Sequence, residues 1–215
     1  MPGNADLVNR IDLVRIPFSE RGSRLLLFRR ENALYIRLAE RWVKQAAIYG
    51  DHRKRAPLID NLTFFDADGA PLDFTIESNA YWVDVVTSGG SFRWVFLDAE
   101  TLLLRLPAGV FGMGFTSMGE RAEADRRGGT MRGVRNVAYT TDARILENAV
   151  DVVGIGQFAV RLKLEARAGD VLLFNITPRL GFNRSIPPVE RALEVARNRW
   201  QDWIAAVPAA PDAYR

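Results

Sequence analysis

Side chains that commonly perform catalysis or bind metals are scarce in this sequence of 215 residues. It contains no cysteine and a single histidine, His52, so a zinc site of Cys and His ligands or a thiol nucleophile has no residues to use. A Ser/His/Asp triad would depend on His52 alone, and no nucleophile-elbow motif accompanies a serine. The 26 acidic residues offer no pair that sequence can single out, because a glycosidase pair is defined by its separation in space. We therefore predict no catalytic residue, no metal site and no cofactor in this chain.

Two glycine-containing motifs resemble ligand-binding loops. Residues 154–159, GIGQFA, match the G-x-G-x-x-A pattern of dinucleotide-binding sites, but such a site needs a helix directly after the glycines. Residues 158–165 instead alternate between apolar and polar, which predicts a strand, so 154–157 is interpreted as a β-turn. Residues 66–69, DADG, resemble the start of a calcium loop, yet the twelfth position, Glu77, falls in a predicted strand. We therefore predict a hairpin turn there.

Aromatic clusters are the most suggestive candidates for ligand binding. Tyr81 and Trp82 are adjacent in one predicted strand. Trp94 lies in the next predicted strand, two residues after Phe92. Sugars commonly stack on exposed aromatic faces, so Tyr81, Trp82 and Trp94 are candidate carbohydrate-binding residues. The alternative interpretation is that these rings pair across neighbouring strands within a sheet core.

Period-two alternation in short segments between turn residues dominates the chain and predicts antiparallel strands. We expect a mainly β fold, a large antiparallel two-sheet β-sandwich of the supersandwich type with one C-terminal amphipathic helix. The glycine-rich, charged stretch 109–133 interrupts the pattern and predicts a long exposed connection. About twelve strands are predicted, at 11–16, 24–28, 33–38, 58–65, 72–77, 80–86, 92–97, 101–106, 136–140, 149–153, 157–164 and 170–176.

The C-terminal helix is the clearest single element. After Pro187 and Pro188, apolar residues recur every three or four positions as far as 207, with charged residues between them. This pattern predicts a helix over 188–206, with Trp200 and Trp203 on its apolar stripe as candidate interdomain contacts. We expect a β-sandwich domain at 1–186, a linker helix at 187–208 and the remnant of an interdomain linker at 209–215.

Composition limits the location and the partners of the chain. Its formal net charge is +3, from 29 Lys and Arg against 26 Asp and Glu, and the one compact basic run, 52–55, is interpreted as a solvated loop. The first residues lack the pattern of a signal peptide, and no apolar run is long enough to span a membrane. The absence of cysteine fits a reducing compartment. We therefore expect a cytoplasmic location and neither nucleic acid nor membrane as a partner.

Four short segments resemble parts of a family of carbohydrate-active enzymes. The meander segments FRWVFLD (92–98) and TLLLRLPAG (101–109), together with RWQDW (199–203) in the helix and DAYR (212–215) after it, are similar to the N-terminal β-sandwich and linker helix of bacterial (α/α)6-barrel glycosidases. The relevant groups are the family 63 mannosylglycerate- and glucosidase-like enzymes, with their trehalase and debranching-enzyme relatives. In such enzymes the catalytic carboxylates lie in the barrel, so the resemblance implies a supporting domain and assigns no catalytic residue here.

The first hypothesis is therefore a non-catalytic N-terminal β-sandwich domain of a glycoside hydrolase. It would pack on a downstream (α/α)6 catalytic domain, or on a second chain, through its C-terminal helix. One alternative is a free-standing carbohydrate-binding module with an oligosaccharide as its partner. Another is a small sandwich-fold sugar epimerase or mutarotase. The lone His52 argues against it, because enzymes of that shape generally use a catalytic histidine in a cleft.

Overall fold

The computed structural model describes residues 6–10, 12–14, 17–19, 25–38, 58–133, 135–177, 181–182 and 184–206 of the chain. His52, the basic run 52–55 and the predicted linker 209–215 lie outside these ranges. The described residues form fifteen strands and one helix: β1 (Asn9–Arg10), β2 (Leu25–Arg30), β3 (Ala33–Leu38), β4 (Ile59–Phe65), β5 (Phe74–Ser78), β6 (Val83–Thr87), β7 (Gly90–Phe96), β8 (Thr101–Arg105), β9 (Gly109–Met118), β10 (Arg121–Asp125), β11 (Gly128–Arg132), β12 (Asn136–Thr141), β13 (Arg144–Gly154), β14 (Gln157–Ala166), β15 (Val171–Thr177) and α1 (Val189–Ala206).

The strands form two sheets in which every hydrogen-bonded pair is antiparallel. Within the described residues, one sheet has nine strands in the order β1-β5-β6-β7-β8-β15-β12-β11-β10. The other has six in the order β13-β14-β9-β4-β3-β2. The predicted fold class, a mainly β two-sheet sandwich with a C-terminal helix, is confirmed.

Aromatic side chains from the inner faces of the two sheets join the layers. The ring centroids of Phe64 and Phe92, from opposite sheets, lie 4.5 Å apart, and Phe92 meets Phe111 edge-on at 5.0 Å. Phe115 meets Phe174 in the same way at 5.6 Å. Such offset and edge-to-face pairs are the arrangements that aromatic rings favour. Alternate residues along β4, β7 and β9 therefore bury one continuous core.

The middle of the nine-stranded sheet is buried on its outer face as well. β15 is buried at every position, and β8 is buried at four consecutive ones. α1 covers part of this outer face, and the segment before it covers another part, where Arg184 Nε donates a 2.7 Å hydrogen bond to Thr140 Oγ1. Strands covered on both sides have continuous apolar runs instead of alternation, which explains the sequence Leu102-Leu103-Leu104.

α1 follows Pro187 and Pro188, and its first turn is closed by the Ala192 amide, which donates to the Pro188 carbonyl at 3.1 Å. Proline is tolerated at this point because the first helical N–H groups have no partner within the helix. Two small residues, Ala192 and Ala196, are the buried positions of the helix. Their size allows the helix backbone to approach the sheet closely.

The predicted connection at 109–133 is wrong, because this stretch forms the three strands β9, β10 and β11. Glycine is unfavourable in strands, but here aromatic rings occupy the space that side chains would fill. A Cβ on Gly112 or Gly114 would lie 3.2 Å from Phe65, and one on Gly129 would lie 2.5 Å from the Tyr139 hydroxyl. The glycines thus permit close approach of an aromatic ring to the strand.

Three further predictions are tested by the chain path. The turn at 66–69 exists, with Asp66 Oδ1 accepting from the Asp68 and Ala70 amides at 2.9 and 2.8 Å. It closes a short hairpin in which Phe65 and Pro71 form an antiparallel bridge and the Leu72 amide donates to the Phe64 carbonyl at 2.9 Å. The pairing does not continue along the predicted strand 72–77, because β5 belongs to the other sheet. The turn at 154–157 does join two paired strands, β13 and β14. In the segment 11–16, the described residues 12–14 are not a strand, and Leu13 is buried with a φ of 55°.

Candidate interdomain surface

The loop between β5 and β6 places Tyr81 and Trp82 on the outer face of the nine-stranded sheet. Asn79 Oδ1 accepts hydrogen bonds from the amides of Tyr81 and Trp82 at 3.0 and 2.9 Å, an Asx-type turn that fixes the local backbone. Both rings are buried beneath α1, in a cluster with Val95 and Ala196. Neither ring offers an open face at the surface.

Trp82 also has a cation on its ring. The Arg93 guanidinium lies 4.1 Å from the Trp82 ring centroid, a favourable cation–π distance. Asp84, directly across the ladder on β6, fixes this guanidinium by a bidentate pair of 2.8 and 2.6 Å. The hydrogen bonds to Asp84 raise the pKa of Arg93 above its ordinary value, so the arginine is a permanent cation on that ring.

Trp94 lies on the inner face and is fully buried. It stacks on Phe174 with 5.8 Å between ring centroids and 13° between planes. The three aromatic residues that the sequence nominated for sugar stacking therefore occupy packed positions. Trp82 and Trp94 do not pair across the ladder as the core interpretation expects, because Trp94 lies opposite Val83 and the two tryptophans belong to clusters on opposite faces of the sheet. Carbohydrate binding stays a prediction, and none of these three buried rings presents a face on which a sugar could stack.

A carboxylate near the N-terminus ties this cluster to the helix. Asp6 accepts three hydrogen bonds from Arg197 of α1 at 3.1, 3.1 and 2.6 Å, and the Tyr81 hydroxyl donates to it at 2.8 Å. The hydrogen bonds from Arg197, followed by that from Tyr81, hold the pKa of Asp6 below its usual value. Burial, with the hydrogen bond to Asp6, raises the pKa of Tyr81. No sequence signal links residues so far apart in the chain.

The helix stripe continues beyond the part that the sheet covers. Leu193, Trp200 and Ile204 are partly buried against the Tyr81–Trp82 cluster. Trp203, which meets Trp200 edge-on at 5.3 Å, is 40% exposed. Of the two predicted interface tryptophans, Trp200 therefore packs within the domain, whereas Trp203 leaves 40% of its surface exposed.

A shallow groove of about 500 Å³ runs along the outward side of α1. Val195 and Trp203 are its large apolar residues, and both are exposed. Arg199 forms part of its wall while its guanidinium lies 3.4–3.5 Å from the carbonyls of Phe96 and Leu97. We call Val195, Asn198, Arg199, Asp202, Trp203 and Ala206 the α1 groove.

The opposite end of the sandwich has two polar concavities, of about 870 and 610 Å³, which share Asp142. Their carboxylates already serve the fold: Asp142 accepts from the Val171 amide at 2.7 Å, and Asp170 from the Arg167 amide at 2.8 Å. Asp125 is paired with Arg184, which lowers its pKa. Among the described residues, no group of three or more His, Cys, Asp or Glu is placed to hold a metal ion.

No protein-family profile matches the sequence, and no curated protein matches it with significance. Among solved structures, the chain is similar to a family GH92 inverting mannosidase from Bacteroides thetaiotaomicron, with a TM-score of 0.52 and 13% sequence identity. The likeness is one of fold. It covers 69% of this chain but 26% of the mannosidase chain, so this chain corresponds to about a quarter of that enzyme. A glycosidase thus carries a similar fold, although its family is GH92 and not the family 63 group that the sequence resembles.

Proposed function

We propose that this chain is a non-catalytic β-sandwich domain of a carbohydrate-active enzyme, a glycoside hydrolase, and that it supports a catalytic domain which follows α1 in the same polypeptide. The observation that carries this proposal is the α1 groove. A helix that is already anchored on the sheet presents two exposed apolar side chains in this one groove, Trp203 (40% exposed) and Val195 (51% exposed). Exposed apolar surface in a groove with polar residues around it fits an interaction site.

Two further observations support it. The same fold occurs as a minor part of a much longer glycosidase chain, and the carboxylates at the polar concavities are engaged in structural hydrogen bonds. The proposal includes an (α/α)6 barrel as the catalytic partner, as the sequence resemblance implies, and a cytoplasmic location, which the absence of cysteine favours. Within the described residues, no helix has the length and apolar content needed to cross a membrane.

The other two hypotheses gain no support from the described residues. A carbohydrate-binding module would need open aromatic faces, whereas Trp82 carries Arg93 and Trp94 is in the core. A sugar epimerase would rely on His52, which lies outside the described ranges.

The test is to compare the chain with the complete polypeptide that its gene encodes. In that polypeptide Trp203→Asp and Val195→Asp should separate the melting of the sandwich from that of the catalytic domain, because each places a charge in an apolar contact. Gln201→Asp, on an exposed position of α1, is the matched control and should leave a single coupled transition in calorimetry. A gene that encodes nothing after α1, or groove variants that melt like the control, would contradict the proposal.

A further inference from the structure

The turn between β13 and β14 exposes three aliphatic side chains. Val152 is 75% exposed, Val153 54% and Ile155 103%. The turn itself is well fixed: Gly156 has the positive φ of 65° that the turn requires, and its carbonyl accepts from the Gly119 amide at 2.9 Å. We call residues 152–155 the hairpin tip.

α1 runs along the nine-stranded sheet from one end of the sandwich to the other. Glu190, in its first turn, lies 3.7 Å from Arg105 at the end of β8. Arg199 contacts the Phe96 and Leu97 carbonyls, at the opposite end of the neighbouring strand β7. The C-terminal part of α1, with Trp203, is therefore at the Leu97 end.

The hairpin tip protrudes from this same end. Successive hydrogen bonds and strand pairs cross the sandwich from Leu97 to the tip, and each involves residues at or near strand ends. They are Leu97 with Thr101, Thr101 with Asn175, Thr177 with Asn136, Asn136 with Gly133, Arg132 with Glu120, and Gly119 with Gly156. Whatever follows α1 thus begins at the end of the sandwich that carries the tip.

We infer that the hairpin tip is a second docking point for the domain that follows α1, and that it inserts into an apolar socket on that domain. This inference rests on the proposed function. The tip side chains carry no hydrogen-bonding group, so they fit a concave aliphatic or aromatic surface and not a sugar, whose hydroxyl groups would lose their water without replacement.

The small apolar area of the hairpin tip favours a partner that is covalently attached to this chain. Three aliphatic side chains at these exposures present on the order of 350 Å² of surface, whereas a specific stable interface buries about 800 Å² per partner. A second copy or a freely diffusing protein would therefore bind weakly through the tip alone. A domain joined through α1 experiences an effective concentration in the millimolar range, at which a small contact is occupied.

The charges near the tip do not favour a lipid surface. Asp151, the nearest acidic residue in sequence, pairs with Arg161 at 3.0 Å, and residues 152–156 contain no lysine, arginine or aromatic residue. Segments that bind anionic membranes usually combine basic residues with tryptophan or phenylalanine.

The experiment measures amide hydrogen exchange at residues 152–156 in the 215-residue chain and in the complete polypeptide. We expect the tip amides to exchange at least tenfold more slowly in the complete polypeptide. Ile155→Asp should restore fast exchange there and should leave the melting temperature of the 215-residue chain unchanged, because the side chain is fully exposed. Leu146→Asp, an exposed position at the other end of β13 (43% exposed), is the control and should preserve the slow exchange.

The outcomes separate this inference from the proposed function. Coupled melting that depends on Trp203, with tip amides that exchange equally fast in both proteins, would overturn the inference and leave the proposed function intact. If the complete polypeptide shows neither coupled melting that depends on Trp203 nor slowed exchange of the tip amides, both the inference and the proposed function would be overturned. Sedimentation of the 215-residue chain as an Ile155-dependent dimer, or its Ile155-dependent binding to vesicles of phosphatidylcholine and phosphatidylglycerol, would assign the tip to another partner and also overturn the inference.

Discussion

At the scale of single residues, Arg93 determines what the Trp82 ring contacts. A tryptophan beside a tyrosine on a β-rich chain is compatible with a sugar-binding face, but the ring is covered by a guanidinium that Asp84 holds in place. The sequence gives the three residue types without the ladder register that brings Asp84 opposite Arg93. For this reason the local sequence leaves both interpretations of the Trp82 ring open, and the contact with Arg93 depends on tertiary structure.

Asp6 makes a testable contribution to stability. Its pKa is lowered by hydrogen bonds from Arg197 and Tyr81, so the stabilisation is present above the unfolded-state pKa and is lost as the pH falls through the lower folded-state value. We expect Asp6→Asn to reduce the melting temperature slightly at pH 7, by about 1–2 °C, because an exposed pair contributes little. The difference should shrink as the pH falls through the lowered folded-state pKa of Asp6, below which the carboxyl is protonated in both states.

Thermal melts of both proteins from pH 7 to pH 2 check this expectation, with Asp202→Asn on α1 as the control. A melting difference that stays constant down to pH 2 would show that the carboxylate charge is not involved.

At the scale of elements, alternation predicted the strands well where one face is buried and one is open. The prediction failed at 109–133 because glycine, unfavourable in an isolated strand, is accommodated here beneath Phe65 and Tyr139. It also failed to show where the hairpin at Asp66 ends, because the chain pairs back only as far as Pro71 and Leu72 and then crosses to the other sheet as β5. Helical periodicity located α1 correctly, and its apolar stripe includes Ala196 with Ala192 beside it, the two residues that the structure buries against the sheet.

The two tryptophans of α1 should contribute unequally to stability. Trp200→Ala removes a ring packed against the Tyr81–Trp82 cluster and should cost about 2–3 kcal/mol, a decrease in melting temperature of roughly 5–10 °C. Trp203→Ala, at a 40% exposed position, should cost less than about 1 kcal/mol in the 215-residue chain.

Calorimetry of the two variants beside Gln201→Ala provides the measurement. Equal losses for both tryptophans would mean that Trp203 is a core residue of this chain, and the α1 groove would then lose its role as a surface for another domain.

At the scale of the whole molecule, the described residues form one packed unit in which α1 belongs to the outer layer of the nine-stranded sheet. The division into a sandwich at 1–186, a linker helix at 187–208 and a linker at 209–215 stays a prediction. Apolar–polar periodicity indicated the fold class, and composition indicated the scarcity of catalytic side chains. The α1 groove and the hairpin tip depend instead on which apolar residues the fold leaves uncovered. Those positions follow from packing across both sheets and could not be derived from local sequence pattern.

We propose that this chain supports catalysis by another domain without performing it. The most direct test is hydrolysis of aryl mannosides, aryl glucosides and trehalose by the purified 215-residue chain, measured beside the complete polypeptide. We expect no turnover above buffer from the 215-residue chain and clear turnover from the complete polypeptide. Robust turnover by the 215-residue chain that disappears when a single aspartate or glutamate is changed to its amide would contradict the account.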